Sequence, residues 1–503
     1  MSDVVRVVGG RLKTAVDPIL QKHLYPGPMA NLRQSYFAFH AFDKAHTVTL
    51  AESGLIPMEA AQAILQGLRD MEQEGIELVR DRMGGGRHSG EAYLTEHIGA
   101  DKAGWINLGR SSGDLDATAW RMVFRHKASG LIEALCSLRQ TLLEVAAQHT
   151  ETIMPGHTCM QHAQTTTVGH TLVAFENSIA RDTKRFEDAY MATNESPAGS
   201  AIMTGSTFPL NRERTAALLG FDAVAGNTRD AVLNLDIMMQ SHTAAAICLS
   251  DIIRIAQDWF LWASSEFEYV DLPDRYCSTS SIMPQKKNPW GLAWIRGEGS
   301  LALGKLSGVF TLLKAESDQL EATMLAAWEL WKVLDMLHDM ILLLKGIIAD
   351  TIFRKEHLYQ LTAEHFCQAT DLAAALVTEA HLPWREAHQF TARVVSAAVD
   401  AGMKPYDVTI EFMNRLRVED GAEPLQIQPE ALIAALDPTN AIYARDAVQG
   451  SPSPRQVNLQ IQVARQQVQA DLEMGARIRN KELTAQTLLE NAIDDILKGV
   501  RMT

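Results

Sequence analysis

Apolar residues recur at three- and four-residue spacing over long stretches of this chain, and alternating strand-like patterns are scarce. From Asp230 to Phe267 a stripe runs through Leu233, Ile237, Ala244, Ile247, Ile252, Ile255, Trp259 and Trp262, with Gln240 as its one polar member. Asp114 to Gln148 and Trp290 to Phe353 read the same way. That period marks a helix with one buried face. Proline is absent between Pro57 and Pro155, between Pro209 and Pro273, and between Pro289 and Pro383. An interior proline costs a helix about 3 kcal/mol, so these gaps permit helices of roughly 30 residues, far above the usual mean of about 11 to 12. Helices this long predict a bundle packed along its whole extent.

The interruptions suggest boundaries. Gly84 to Gly90 and Gly109 to Gly113 are irregular and precede the first long helix. His381-Leu-Pro383-Trp opens a set of shorter helices, and Ser451-Pro-Ser-Pro454 marks a loop before a polar final helix. The expected fold is all-α, with an N-terminal helical domain (1–113), a central long-helix bundle (114–365) and a C-terminal helical domain (366–503).

Composition narrows the function classes. The chain has 503 residues, 47% of them hydrophobic, and 46 Lys+Arg against 61 Asp+Glu give a net charge of -15. That hydrophobic fraction excludes a mostly disordered chain. The acidic balance argues against a nucleic-acid partner, which would call for a basic stripe. Cys136, Cys159, Cys248, Cys277 and Cys367 lack C-x-x-C spacing, so reduced thiols and no zinc site are expected. Met1 to Gly10 has no long apolar run, and the strongest one, Met340 to Ile348, is broken by Lys345. It is too short to span a bilayer. A soluble cytoplasmic protein with no membrane partner is the expectation.

Candidate chemistry concentrates in one loop, within 278–290: Ser280-Ser-Ile-Met-Pro-Gln-Lys-Lys-Asn-Pro289. Its hydroxyls, ammonium groups and amide sit just before a long helix. Most loops of such composition are merely solvated, but here the order of residues resembles the S-S-x-M-P-x-K-x-N-P loop of the fumarase/aspartase superfamily. Gly109-Arg-Ser-Ser-Gly-Asp114 resembles the G-R-S-R-N-D segment of argininosuccinate lyases. Pro155-Gly-His-Thr-Cys-Met-Gln-His-Ala-Gln164 resembles their P-G-Y-T-H-L-Q-R-A-Q segment. Phe208-Pro-Leu-Asn-Arg-Glu-Arg-Thr215 and Ser264-Ser-Glu-Phe267 also fit. Within that branch the chain most resembles the lyases that act on ethylenediamine-N,N'-disuccinate.

The resemblance implies an all-helical homotetramer on a shared core of roughly twenty long helices. Its active sites would be composite, drawing the three matched segments from three subunits. It implies no cofactor, and neither a dinucleotide fingerprint nor metal-ligand spacing appears. The implied reaction reversibly eliminates an amine from an N-substituted aspartate to give fumarate, through a dianionic aci-carboxylate that must be stabilised electrostatically. A serine is a weak base until positive charge and N–H groups depress its pKa. Ser280 and Ser281 both stand in the catalytic position. Spacing from Asn288 favours Ser280, and Ser281 stays open. Lys286 and Asn288 would hold the same carboxylate, with Met283 in the loop. Arg110, Ser111, Ser112 and Thr158 match substrate-binding positions, and Gln240 and Arg33 are further candidates. Gln240 reads equally well as a satisfied core amide.

The departures bear on the substrate. The family's histidine after the motif threonine and its partner glutamate are replaced by Cys159 and Ala293. The S-R-N-D arginine and asparagine become Ser112 and Gly113. Where the family carries Tyr, Gln and Lys, this chain has Leu320, Leu325 and Trp328, and Trp290 replaces an acidic residue. The amine side is therefore expected to be less charged. A secondary amine adduct already carries its proton, since aliphatic amines have pKa values near about 10.4, so it can leave without a dedicated acid. His157 and His162 flank the segment and read more readily as packing residues than as proton shuttles. Two other functions fit less well: an inactive crystallin-like structural homologue, motivated by the missing His–Glu pair, and an argininosuccinate lyase or aspartase proper.

Overall fold

The computed structural model describes residues 17–19, 32–314 and 320–499, except the side chains of 320–324. The fold is all-α, with only short two-stranded ribbons. Helices α1 (Tyr36–Glu52) and α2 (Met58–Glu74) lead towards α3 (Ser112–Gln148). The 37 residues of α3 span about 55 Å at the usual rise. Strands β1 (Ile153–Thr158) and β2 (Gln161–Thr167) form a hairpin at its far end and return the chain into α4 (Val168–Ala192). Helix α5 (Asp236–Trp262), the ribbon of β3 (Ser278–Thr279) and β4 (Lys287–Asn288), then α6 (Trp290–Leu313) and α7 (Leu320–Asp350) complete the bundle. Shorter helices fill 355–443, and α8 (Pro454–Leu497) closes the chain.

Packing follows the apolar faces. Helix α3 packs against α4, α7 and α8, while α5 packs against α4, α6 and α7. One large core joins them and includes Phe124, Leu172, Ile252, Trp259, Leu306 and Leu337. The polar final helix belongs to this core through Val457, Ile461, Val468, Ile493 and Ile496. A separate cluster around Leu372, Phe390, Phe412 and Leu432 lies in 372–436, and a third around Ile64, Leu68, Leu94 and Ile106.

Two stretches that read as continuous are divided. Trp290 to Phe353 is two helices, α6 and α7. Both bury a stripe of the same period, so periodicity runs on across the connection between them. Asp230 to Phe267 contains the end of a short helix (Thr228–Leu233), a break at Asn234 and Leu235, and then α5. The buried face of α5 is Met238, Ala245, Leu249, Ile252, Ala256 and Trp259. Gln240 is exposed, as is Ile247, so Gln240 is not a core amide within this chain.

The bundle has two functional ends. Trp259 packs on Phe175 and Phe353 at 5.8 and 6.4 Å, which gathers the end of α5, the start of α4 and the end of α7. The hairpin and the serine loop lie at this end. The start of α3 lies at the other, where Gly113 approaches Ile202 and Val232 and shares a small cavity with Trp328 of α7. Among the described residues, no helix is long and apolar enough to cross a membrane, and all five cysteines are unbridged.

Candidate active site

The serine loop is built as a pinched excursion. Ser278 pairs with Asn288 and Thr279 with Lys287 in antiparallel register, so the ribbon clamps the loop's neck. Inside it, Ser280 Oγ accepts hydrogen bonds from Ile282 N (3.3 Å) and Met283 N (3.1 Å), and Met283 O accepts from Lys286 N (3.1 Å). Ser281 is exposed, and Ser280 and Asn288 are half-buried. The two lysines differ sharply. Lys287 Nζ lies 3.2 Å from Asp271 and 2.9 Å from Asp274, and these carboxylates raise its pKa. Lys286 has no carboxylate within ion-pair reach among the described residues. An unneutralised ammonium on the loop that carries two serine hydroxyls is suited to an anion. Lys286 and Asn288 line a cleft of about 630 Å³ with Ser264, Cys277 and Arg354.

The hairpin turns at Cys159 and Met160, whose φ values are 49° and 60°. Two consecutive left-handed residues make the two-residue turn that suits a hairpin, though Asn-Gly usually supplies it. Thr158, just before the turn, is exposed. Behind it, His157 Nε2 lies 3.1 Å from the Tyr269 hydroxyl, and His157, His162 and His365 stack edge to face at 4.9 and 4.7 Å. Burial lowers the pKa of His157, and burial plus the neighbouring histidines lowers that of His162 to about 4. Both rings are therefore neutral at pH 7 and belong to a packed aromatic cluster. Gln164 Nε2 donates to Thr370 Oγ1 and Gln368 Nε2 to Thr165 Oγ1, tying the hairpin to the shorter helices.

The cap of α3 is a satisfied polar knot. Ser111 is the N-cap: its Oγ accepts from Gly113 N, while Asp114 Oδ1 accepts from Ser111 N (2.9 Å). Asp114 Oδ2 accepts from Gly199 N (3.0 Å), and burial raises its pKa to about 6. Arg110 is buried, with its guanidinium 2.8 Å from Asp43 and its Nε donating to Asn107. Asp43 also pairs with Arg80 at 2.7 Å. Arg110 is thus occupied in holding the segment. Ser112 is half-buried, and its Oγ lies 2.9 Å from His88 Nε2. His88 Nδ1 in turn faces Glu91 at 3.6 Å, and this histidine is the main influence lowering the Glu91 pKa. A Cβ at Gly113 would meet Ile202 Cδ1 at 2.7 Å, so Ile202 fills the space of the family's asparagine.

The remaining candidates scatter. Trp290 is 65% exposed at the start of α6. Leu325 is exposed on α7, whereas Trp328 is buried against the α3 cap. The Leu320 side chain lies outside the described residues. Arg33 is paired with Asp81, and Gln240 sits on the open face of α5. Within one chain the serine loop and Thr158 share one end, and Ser111, Ser112 and Trp328 share the other. His88 did not stand out in the sequence; its signal is the Arg87-His88 pair of ionisable side chains within the glycine-rich run before Gly90.

Comparison with known proteins names the scaffold. Residues 12–304 match a family model described as Lyase, and residues 366–443 match one described as Argininosuccinate lyase C-terminal. The argininosuccinate lyase of Methanosarcina barkeri is 34% identical over 505 residues, covering 99% of each chain. The chain belongs to the argininosuccinate lyase branch of the fumarase/aspartase superfamily. It is a carbon–nitrogen lyase. The argininosuccinate lyase of Methanothermobacter thermautotrophicus is 35% identical over 83% of this lyase and 90% of that protein. Among solved structures, EDDS lyase in complex with formate superposes with a TM-score of 0.86 at 29% identity, covering 97% of each chain. A variant of EDDS lyase with bound fumarate gives the same TM-score over 99% of each chain.

Proposed function

We propose that this lyase eliminates aliphatic amines from N-substituted aspartates, releasing fumarate, and runs the addition in reverse. The observation that carries this reading is the α3 cap. Where the branch places a guanidinium and an amide, Ser112 is engaged by His88, which is backed by Glu91, and Ile202 closes the space beside Gly113. Such a cap offers a cationic amine an acidic background and offers a second amino-acid end no guanidinium. The buried Trp328 beside it adds apolar wall.

At the serine loop, Ser281 is the base. Two N–H donors favour the ionised form of Ser280, but they also fill its two acceptor lone pairs and hold it within the turn, whereas the Ser281 hydroxyl is exposed to a substrate. The Ser281 oxygen takes the proton from the carbon beside the carboxylate, the Lys286 ammonium and Asn288 amide hold the resulting dianion, and the nitrogen leaves as the amine. Lys286 and Asn288 supply the charge stabilisation that such an intermediate requires.

A single chain does not complete this site, because the cap and the serine loop lie at opposite ends of a bundle whose helix α3 alone spans about 55 Å. The reading therefore includes a homotetramer in which copies share sites. Support comes from the open face of α6, where Trp290, Trp294 and Leu301 are exposed beside Gly297 and Gly304, which leave room for close helix approach. The reading also divides the chain at 113/114 and 365/366; the clusters within 64–106 and 372–436 support this, whereas the main core takes in α1 and α8 from either side of it.

A second reading, cleavage of argininosuccinate itself, is favoured by the names of relatives that match over nearly the whole chain. Fumarate's ultraviolet absorbance separates the two. Depletion of fumarate with ethylenediamine or simple alkylamines, and no release from argininosuccinate, supports the proposal. The opposite pattern establishes the second reading.

A further inference from the structure

A large unassigned cavity lies away from both ends, between α1, the middle of α3, the short helix Arg212–Leu218 and α8. It measures about 660 Å³ and is lined in part by Phe37, Ile76, Met122, Leu219 and Leu489, with Arg125 and Ser129 of α3 in its wall. These two residues stand one helical turn apart and so share a face of α3. Both are buried, at 2% and 4% exposure.

Their polar atoms are incompletely used. Among the described residues, the buried Arg80 pairs with Asp43, and the buried Arg139 pairs with Glu176 and Asp471. Arg125 has no carboxylate. Its Nη2 donates to Gly220 O (2.6 Å), its plane lies over Phe221 and Tyr190 at 4.4 and 5.6 Å, and its Nε has no partner. Helical serines commonly bond back to the preceding turn, as Ser241 does to Ile237 O and Ser300 to Arg296 O. The Ser129 hydroxyl has no partner. Buried donors left unpaired are costly, and a guanidinium beside a hydroxyl matches a carboxylate. The acidic residues at the cavity do not oppose this, because each has a cation. Glu72 and Glu490 face Lys44, Glu133 faces Arg479, and Glu482 faces His126.

We propose that this cavity binds a small monocarboxylate with an apolar body, the carboxylate on Arg125 and Ser129 and the body against the aliphatic and aromatic wall. The site is distinct from the lyase centre: Arg125 is about 20 Å along α3 from Ser112. It stands whether or not the amine reading holds.

Calorimetric titration of the intact oligomer with hexanoate, benzoate, hexanol and fumarate tests it. Both monocarboxylates should bind and raise the melting temperature, hexanol should not, and fumarate, lacking the apolar body, should bind more weakly. Arg125→Met and Ser129→Ala should each weaken hexanoate by about tenfold to a hundredfold, the usual worth of a charge-assisted hydrogen bond. Ser129→Ala removes an unpaired hydroxyl, so it should fold with undiminished stability and leave the lyase rate unchanged. Should Arg125→Met fail to fold, Ser129→Ala and Arg125→Lys carry the test. Equal hexanoate affinity in these variants, or no carboxylate binding, overturns the proposal. A preference for fumarate overturns the apolar-body class.

Discussion

At the start of α3, Asp43 sits between Arg80 and Arg110, their side chains buried, and the buried Asp114 closes the cap at half-buried Ser111. At the other end of the bundle, Lys286 and Ser281 are exposed on a loop clamped only at its neck, while the adjacent Lys287 is neutralised by two aspartates. Both segments match the branch in sequence, the loop at every fixed position and the cap with two departures, Ser112 and Gly113. On the proposed reading, one is a structural knot whose half-buried Ser112 hydroxyl meets His88, and the other is the reactive element. Charge that is buried and paired holds backbone; charge that is exposed and unpaired awaits a ligand.

The sharpest way to break that contrast is Ser281→Ala, which should lower kcat by about a thousandfold or more, the range for removing an essential acid–base group. Ser280→Ala should cost only about tenfold, by loosening the turn. Equal losses, or the reverse order, would reassign the base. Next comes Arg110→Ala, which leaves Asp43 with one partner. Breaking a buried pair typically costs about 3 to 5 kcal/mol, read as a fall in denaturation midpoint. Lys286→Met should instead leave stability within about 0.5 kcal/mol and lower kcat/KM by about a hundredfold to a thousandfold, while Lys287→Met should change the rate only slightly. Restoring the branch asparagine with Gly113→Asn should destabilise by about 1 to 3 kcal/mol through overpacking against Ile202, and Ile202→Ala should relieve it.

The smallest effect concerns pH at the hairpin end. His162 has a pKa of about 4 in the folded protein against 6.5 ordinarily. Between those values the unfolded chain binds the extra proton, so stability rises with pH in this window. The contribution of His162 is full above pH 6.5 and is lost as pH falls towards 4. The difference in melting temperature between the wild type and His162→Phe, followed across that window, should narrow as the pH drops. A constant difference would show that His162 does not titrate there.

Much of the fold was legible because long proline-free stretches with one apolar stripe admit few alternatives. The join between α6 and α7 was not, since both helices keep the same period across it. Gln240 was misplaced by one helical face, because Ile247 and Gln240 belong to a side of α5 left open within one chain. At the site, the order of residues in 280–289 pointed to the loop, but only three-dimensional pairing separates Lys286 from Lys287. Arg110 and Ser112, two residues apart in sequence, look alike as ligands until Asp43 and His88 arrive from elsewhere in the chain.

On the proposed reading, two segments at opposite ends of one chain's bundle serve a single reaction. Complementation tests it most directly. Ser281→Ala and Ser112→Trp, each inactive alone, are mixed, dissociated and reassembled, and the fumarate-forming rate is measured. The account predicts recovery towards about a quarter of the wild-type rate, the share of sites drawing both segments from unaltered copies in a random symmetric oligomer. No recovery from hybrids shown to have assembled would contradict it.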